Sequence, residues 1–271
     1  MKDTPLLIAV APNGARKLKT DHPQIPLNAE ELSETALNCA AAGASMIHLH
    51  VRDENNRHSL SVDTYKEAIQ EIQKAEPNIF IQVTSEAVGI YSAEEQFEMI
   101  HALKPNAVSI GLREIRDLDE HIITDHFHKM RETETFPQLI LYNDHDLNMY
   151  YDWVKRKVIP GKAYPILLVI GKETPEGSFD NSVLSAEITD KLPASSWMIC
   201  AFGPNEYPAG QLATKLGGHI RLGFENNCEL ANGSIAKNNA ELISQMVNYL
   251  ASENIAVANY QQAIEIMRPD W

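Results

Sequence analysis

The stretch HLHVRD, residues 48–53, decides the fold. It follows GASMI (43–47), where Gly43 ends a helix and a short apolar run starts a strand. On a strand, alternate side chains share a face, so His48, His50 and Arg52 are expected to point the same way. Two imidazoles placed like this can converge on one metal ion. An isolated His-x-His is as readily a pair of packed or hydrogen-bonded core residues. A second stretch, GGHIRLGFENN (217–227), tips the balance, because it closes on a carboxylate, Glu225.

Outward from that pair, short β-rich runs alternate with longer amphipathic ones. The strand candidates are 6–12, 45–51, 79–85, 107–112, 139–143, 166–171, 197–203 and 219–224. Most are nearly continuous apolar runs, as in strands buried on both faces. The helical segments begin at readable caps, Asn28 with Glu31 and Ser92 with Glu95. The others span about 63–75, 120–132, 146–158, 182–191, 206–217 and 236–253. Eight β runs alternating with eight α runs imply a closed (β/α)8 TIM barrel. An open doubly wound sheet would want a Gly-rich phosphate turn after the first strand, and PNGAR (12–16) does not supply one. No linker or low-complexity tract divides the chain. One domain is therefore expected over 1–271, with a short extra helix at about 259–267.

Composition is that of an ordinary globular protein: 44% hydrophobic and 22% charged, with a formal charge of −14. The acidic balance argues against nucleic acid as a partner. It also means that an anionic substrate must be met by locally placed arginines. Three cysteines (39, 200, 228) without ligand spacing suggest reduced thiols. The first apolar run is too short for a signal peptide, and no stretch approaches membrane-spanning length. A cytoplasmic location is expected.

In a barrel of this kind the chemistry sits at the C-terminal ends of the strands. The polar residues there, in strand order, are Asn13 and Arg16; His48, His50, Arg52 and Asp53; Thr84, Ser85 and Glu86; Arg113 and Glu114; Tyr142, Asn143 and Asp144; and, on the eighth, Arg221, Glu225 and Asn226. The first strand lies between the second and the eighth in a closed barrel. Glu225 can then reach a metal held by His48 and His50. Two histidines and a glutamate leave positions open for water or substrate. Zn²⁺ suits these donors, as do Mn²⁺, Co²⁺ and Fe²⁺. Glu225 would otherwise be an ion-pair partner of Arg52 or Arg221.

HLHVRD, the following DENNRHSLSVDTYKEAI, IQVTS (81–85) and GGHIRLGFENN together resemble the beta-keto acid cleavage enzymes, and the similarity runs over nearly the whole chain. The resemblance implies a metal-dependent (β/α)8 barrel, usually oligomeric (a dimer or tetramer). It implies acyl exchange between a β-keto acid and acetyl-CoA, giving acetoacetate and a new acyl-CoA. It assigns the metal to His48, His50 and Glu225 and puts Arg221 in the catalytic network. It also places Thr84 and Ser85 where a family hydroxyl meets the substrate. Asn13, Arg16, Arg52 and Glu114 are the further candidates for substrate contact.

Three departures stand out. The family motif continues Glu-Asp-Asn, whereas Asn226 follows Glu225 here, and an amide cannot replace the aspartate as a base. The fifth strand lacks the glutamates of a family member, leaving Asp144 or Glu114 as stand-ins. Where one member carries an acid that meets its substrate's amine, this chain has Arg16. That implies an anionic or polar substrate tail, unless Arg16 only pairs with Asp21 or a loop carbonyl. Two other functions fit the same residues: a metal hydrolase of the amidohydrolase type, and a non-catalytic metal-binding barrel. The first usually places its His-x-His on the first strand, and only Asn226 favours the second.

Overall fold

The computed structural model describes residues 5–172, 174–175, 177–185, 189, 192 and 194–270. Eight parallel strands close into a barrel. In chain order they are β1 (Ile8–Val10), β2 (Met46–Leu49), β5 (Phe80–Thr84), β6 (Ala107–Gly111), β7 (Phe136–Leu141), β8 (Tyr164–Ile170), β9 (Ala194–Ala201) and β10 (His219–Leu222). Every neighbour in the ring is hydrogen-bonded, and β1 sits between β2 and β10. The remaining two strands, β3 (Val51–Arg52) and β4 (His58–Ser59), form an antiparallel hairpin outside the ring.

Among the described residues the α-helices are α1 (Ala29–Ala41), α2 (Val62–Ala75), α3 (Ala93–Leu103), α4 (Leu112–Ile115), α5 (Glu120–Glu132), α6 (Asp144–Arg156), α7 (Glu206–Lys215), α8 (Asn239–Ser252) and α9 (Tyr260–Ile266). Ser92 and Glu95 make both halves of a capping box at α3. At α1 Asn28 caps Glu31, whose own carboxylate turns to the Leu27 amide instead. Of the helix expected over 182–191, residues Asn181–Val183 form one 3-10 turn, and most of the rest lies outside the described residues.

The strands alternate between two apolar layers. Ile8, Val10, Ile47, Leu49, Ile81 and Val83 pack outward under the helices. Leu7, Ala9, Met46, Phe80, Ala107, Leu167 and Met198 fill the barrel interior, and Ala263 and Met267 of the C-terminal segment join them. The apolar layer therefore occupies the interior away from the strand C-termini. Polar side chains are left to the other end, where loops can satisfy them. Tyr65, fully buried on α2, donates its hydroxyl to the Thr84 carbonyl at 2.9 Å and pins the end of β5.

Candidate active site and metal centre

His48 points inward near the end of β2, opposite Gln82 on β5. Its Nδ1 lies 2.9 Å from Gln82 Oε1, and the Gln82 amide nitrogen donates to Gln138 Oε1 at 3.0 Å. That chain fixes the amide so that His48 carries its proton on Nδ1 and presents a bare Nε2 to the cavity. Burial first, then the Arg221 charge, keeps the His48 pKa well below its usual value, so the ring is neutral.

His50 lies one residue past the end of β2, and its carbonyl accepts from Asn13 Nδ2 at 3.2 Å. Glu225 arrives by a turn rather than by strand alternation, because β10 ends at Leu222. Gly223 has φ of +140°, and a Cβ there would lie 2.3 Å from the Ala11 carbonyl oxygen. Only glycine lets the chain pass so close. That carbonyl then accepts the Glu225 amide at 3.0 Å and sets the carboxylate over the two imidazoles.

His48 Nε2 and His50 Nε2 are 3.1 Å apart, and Glu225 Oε2 is 3.7 and 3.5 Å from them. Bonds of about 2.0–2.1 Å in a tetrahedral site put ligand atoms roughly 3.3 Å apart. Glu225 Oε2 is also buried with no hydrogen-bond partner. The donor set therefore fits a divalent cation. Among the described residues it is the one such group of three.

Arg221 lies beneath the carboxylate. Its Nη2 donates to Glu225 Oε1 at 3.2 Å and to Cys200 Sγ at 3.3 Å, while Nε and Nη1 are buried with no partner. Burial would raise the Glu225 pKa, but the Arg221 charge first, then His50, outweighs it and holds the carboxyl well below the usual range. The cavity above is lined by His48, His50, Thr84, Glu86, Tyr142, Lys172, Phe202, Arg221 and Glu225.

The other expected residues divide. Thr84 faces this cavity, but Ser85 does not: it is fully buried and its hydroxyl donates to the Ser109 carbonyl and Gln96 Oε1. Ser85 is thus corrected from substrate contact to a brace between strands. Arg52 is corrected likewise. It belongs to the hairpin, and its guanidinium donates to the carbonyls of Gly14, Lys17 and Asn56, clamping the loop after β1. Asn13 spends its amide on Pro26 and His50 carbonyls.

Asn226 is buried behind the site, donating to the Arg221 carbonyl at 3.4 Å. Glu114 turns its Oε2 to the Ala87 amide at 3.2 Å, and Asp144 is exposed at the start of α6. Neither lines the cavity. Arg16 is 60% exposed and pairs with Glu86 at 3.2 Å, not with Asp21. His58 donates through Nε2 to the Glu86 carbonyl at 2.8 Å; burial holds its pKa at about 4, leaving the ring neutral. Of the α5 histidines, 121 and 128 are exposed, but His126 is half-buried against Phe97 and hydrogen-bonded to His101.

Sequence reasoning missed Gln82, Gln138, Lys172, Phe202 and Glu206. Lys172 lies 3.7 Å from Glu86 and faces the Tyr142 and Phe202 rings. Glu206 accepts from the Gly223 amide at 3.0 Å and from Asn227, holding the turn that delivers Glu225. Burial pushes its pKa up to about 8. The first two sit at inward strand positions, which alternation could have flagged. A lysine or a helix-start glutamate carries no such pattern.

A parallel eight-stranded barrel with two histidines and a glutamate converging at its C-terminal mouth defines a metal-site barrel enzyme. The model of the beta-keto acid cleavage enzymes matches residues 5–268, and the chain belongs to that family. It is 30% identical over 277 residues to the 3-keto-5-aminohexanoate cleavage enzyme of Acetoanaerobium sticklandii, covering 97% of each chain. It is 26% identical over 271 residues to the 3-oxoadipate:acetyl-CoA acetyltransferase of Cupriavidus necator, covering 96% of this chain and 93% of that one. Among solved structures, the ternary complex of ObcA with C4-CoA adduct and oxalate shares the fold, with a TM-score of 0.72 at 16% identity over 90% of this chain and 67% of that one.

Proposed function

We propose that this protein exchanges acyl groups between a β-keto acid and acetyl-CoA, giving acetoacetate and a new acyl-CoA. The observation that carries it is the convergence of His48, His50 and Glu225 at 3.1–3.7 Å, in a chain of this family. A cation held there, Zn²⁺ by its donors, supplies Lewis acidity that weakens the α-C–H bond between the two carbonyls. Arg221 offers Nε and Nη1, both without partners, to the substrate carboxylate. Thr84 offers a hydroxyl from the opposite wall. Phe202 and Tyr142 add aromatic surface to the same cavity.

The tail of the keto acid is anionic or polar in this reading. Arg16 and Lys172 stand at the rim against one carboxylate, Glu86. No helix among the described residues is long and apolar enough to cross a membrane. The three free cysteines suit a reducing cytosol, and an oligomer of two or four chains is checked by light scattering.

The test is metal analysis followed by acyl-CoA formation from acetyl-CoA and a keto-acid panel, read by mass spectrometry. 3-Oxoadipate is expected to outperform 3-keto-5-aminohexanoate, and chelation to abolish turnover. Arg16→Ala is expected to cost about fivefold in kcat/KM on the dicarboxylate, because exposed charge contacts are worth under about 1 kcal/mol. Preference for the amine sinks the anionic tail. A metal-loaded protein that turns over no keto acid, or hydrolyses amides without CoA, sinks the reaction.

A further inference from the structure

The reaction just proposed needs a group that removes a proton from the α-carbon and later returns one. The obvious positions do not provide it. Residue 226 is an amide and lies behind the site. Glu225 belongs to the cation donors. Glu114 and Asp144 do not face the cavity, and Glu206 is turned to the Gly223 amide. Cys200 is pressed against Arg221 beneath the floor, and burial pushes its thiol pKa up. Lys172 is already ion-paired.

One carboxylate remains. Glu86 lines the same cavity as His48, His50, Thr84, Arg221 and Glu225, with its side chain 14% exposed. Its backbone is held on both sides: the amide donates to Thr84 Oγ1 at 3.1 Å, and the carbonyl accepts from His58 at 2.8 Å. Both flanking cations, Arg16 at 3.2 Å and Lys172 at 3.7 Å, lie on Oε1. Burial would raise the Glu86 pKa, but neighbouring charge, from His50 first and then Lys172 and Arg16, holds the carboxyl below its usual value.

We propose that Glu86 is the proton acceptor of this site, standing in for the acid that position 226 lacks; the inference rests on the acyl-exchange reading above. The α-C–H bond breaks, its electron pair enters the enolate, and the proton goes to the Glu86 carboxylate. The enolate carbon bonds to the acetyl carbonyl of acetyl-CoA, and the thiolate leaves. The thiolate then adds to the original keto carbonyl, and the carbon–carbon bond to the new acetoacetate unit breaks. That unit's enolate recovers the proton from Glu86. Nothing is oxidised or reduced, and the carboxylate is restored. Lys172 is a positioning residue, holding Oε1, and Arg16 shares that role until a substrate tail engages it.

Acetoacetate is the common product whatever the keto-acid tail, so it serves as the probe. Exchange of its α-protons in D₂O, without CoA, is followed by NMR above the spontaneous rate for zinc-loaded wild type, Glu86→Gln and Glu86→Asp. Zinc content and the thermal shift given by acetoacetate are measured alongside. Glu86→Gln is expected to lose about 100-fold or more of the exchange, with zinc content and thermal shift unchanged. Glu86→Asp, which keeps a base on a shorter arm, is expected to recover part of it. Exchange in Glu86→Gln within about threefold of wild type overturns the proposal. So does loss of zinc or of the thermal shift together with the exchange, which would make Glu86 a structural brace. Wild type that neither exchanges acetoacetate nor transfers acyl groups refutes the reaction itself, a distinct result.

Discussion

Gln82→Leu removes one contact from the site without touching a donor atom. In the fold, His48 Nδ1 gives its proton to Gln82 Oε1 at 2.9 Å, and His48 is 1% exposed, so water cannot replace the lost acceptor. The imidazole then loses what fixes its tautomer and its angle, and the Gln138 carbonyl loses its donor as well. Outer partners of metal-binding histidines are worth about 10–100-fold in metal affinity, or roughly 1.4–2.7 kcal/mol. A stranded buried N–H adds about 1–3 kcal/mol of lost folding stability. Zinc affinity, by competition with a chromogenic chelator, should weaken by at least tenfold, and the metal-free protein should melt earlier. Gln138→Leu, one bond further out, should lose less zinc affinity. An unchanged zinc affinity in Gln82→Leu, with only stability lost, would refute the claim that this amide orients the ligand.

Two further substitutions probe the turns around Glu225. A Cβ at Gly14, where φ is +60°, would sit 2.5 Å from Glu225 Cγ. Gly14→Ala should therefore displace the carboxylate and weaken zinc binding by about tenfold or more, beyond a backbone cost of about 1 kcal/mol, as the same chelator competition would read. Glu206 is 2% exposed, and burial lifts its folded pKa from 4.5 to about 8. A folded pKa above the unfolded one gives stability that is full below about 4.5 and is lost as pH rises through about 8. Denaturant midpoints should accordingly fall between pH 5 and pH 9 in wild type and fall less in Glu206→Gln. Equal slopes in the two proteins would count against a protonated Glu206.

The barrel was legible because its strands are buried on both faces, and apolar runs such as 6–12 and 166–171 are their direct signature. The donor set was legible because a closed ring places β1 between β2 and β10, which brings His48 and Glu225 together whatever the loops do. Alternation failed where the strands stop. It placed Arg52 on the face of His48, but β2 ends at Leu49 and the hairpin carries Arg52 to the carbonyls of the first loop. The pleat likewise stops short of Glu225, and the Gly223 turn delivers that side chain. Ser85 illustrates the same limit. One residue past Thr84, its hydroxyl finds Ser109 and Gln96 between strands instead of the cavity. Lys172 was invisible because a loop lysine reads as solvated surface until the fold seats it between two aromatic rings.

Charge placement gives these loop residues a common logic. A chain of net charge −14 repels an anionic keto acid and an anionic thioester at long range. At the barrel mouth the balance is reversed. Arg16, Lys172 and Arg221 face two carboxylates, and one of those, Glu225, is committed to a cation site. With a divalent ion in place the mouth is positive while the rest of the surface stays negative. The field then draws an anion to the one place where its α-carbon meets a base. The wide separation of the cations matters as much as their number. Arg221 is buried at the floor and Arg16 lies at the exposed rim, so a carboxylate at each end of a substrate can be met at once. A short keto acid with a single carboxylate would engage only the floor and leave Arg16 to Glu86.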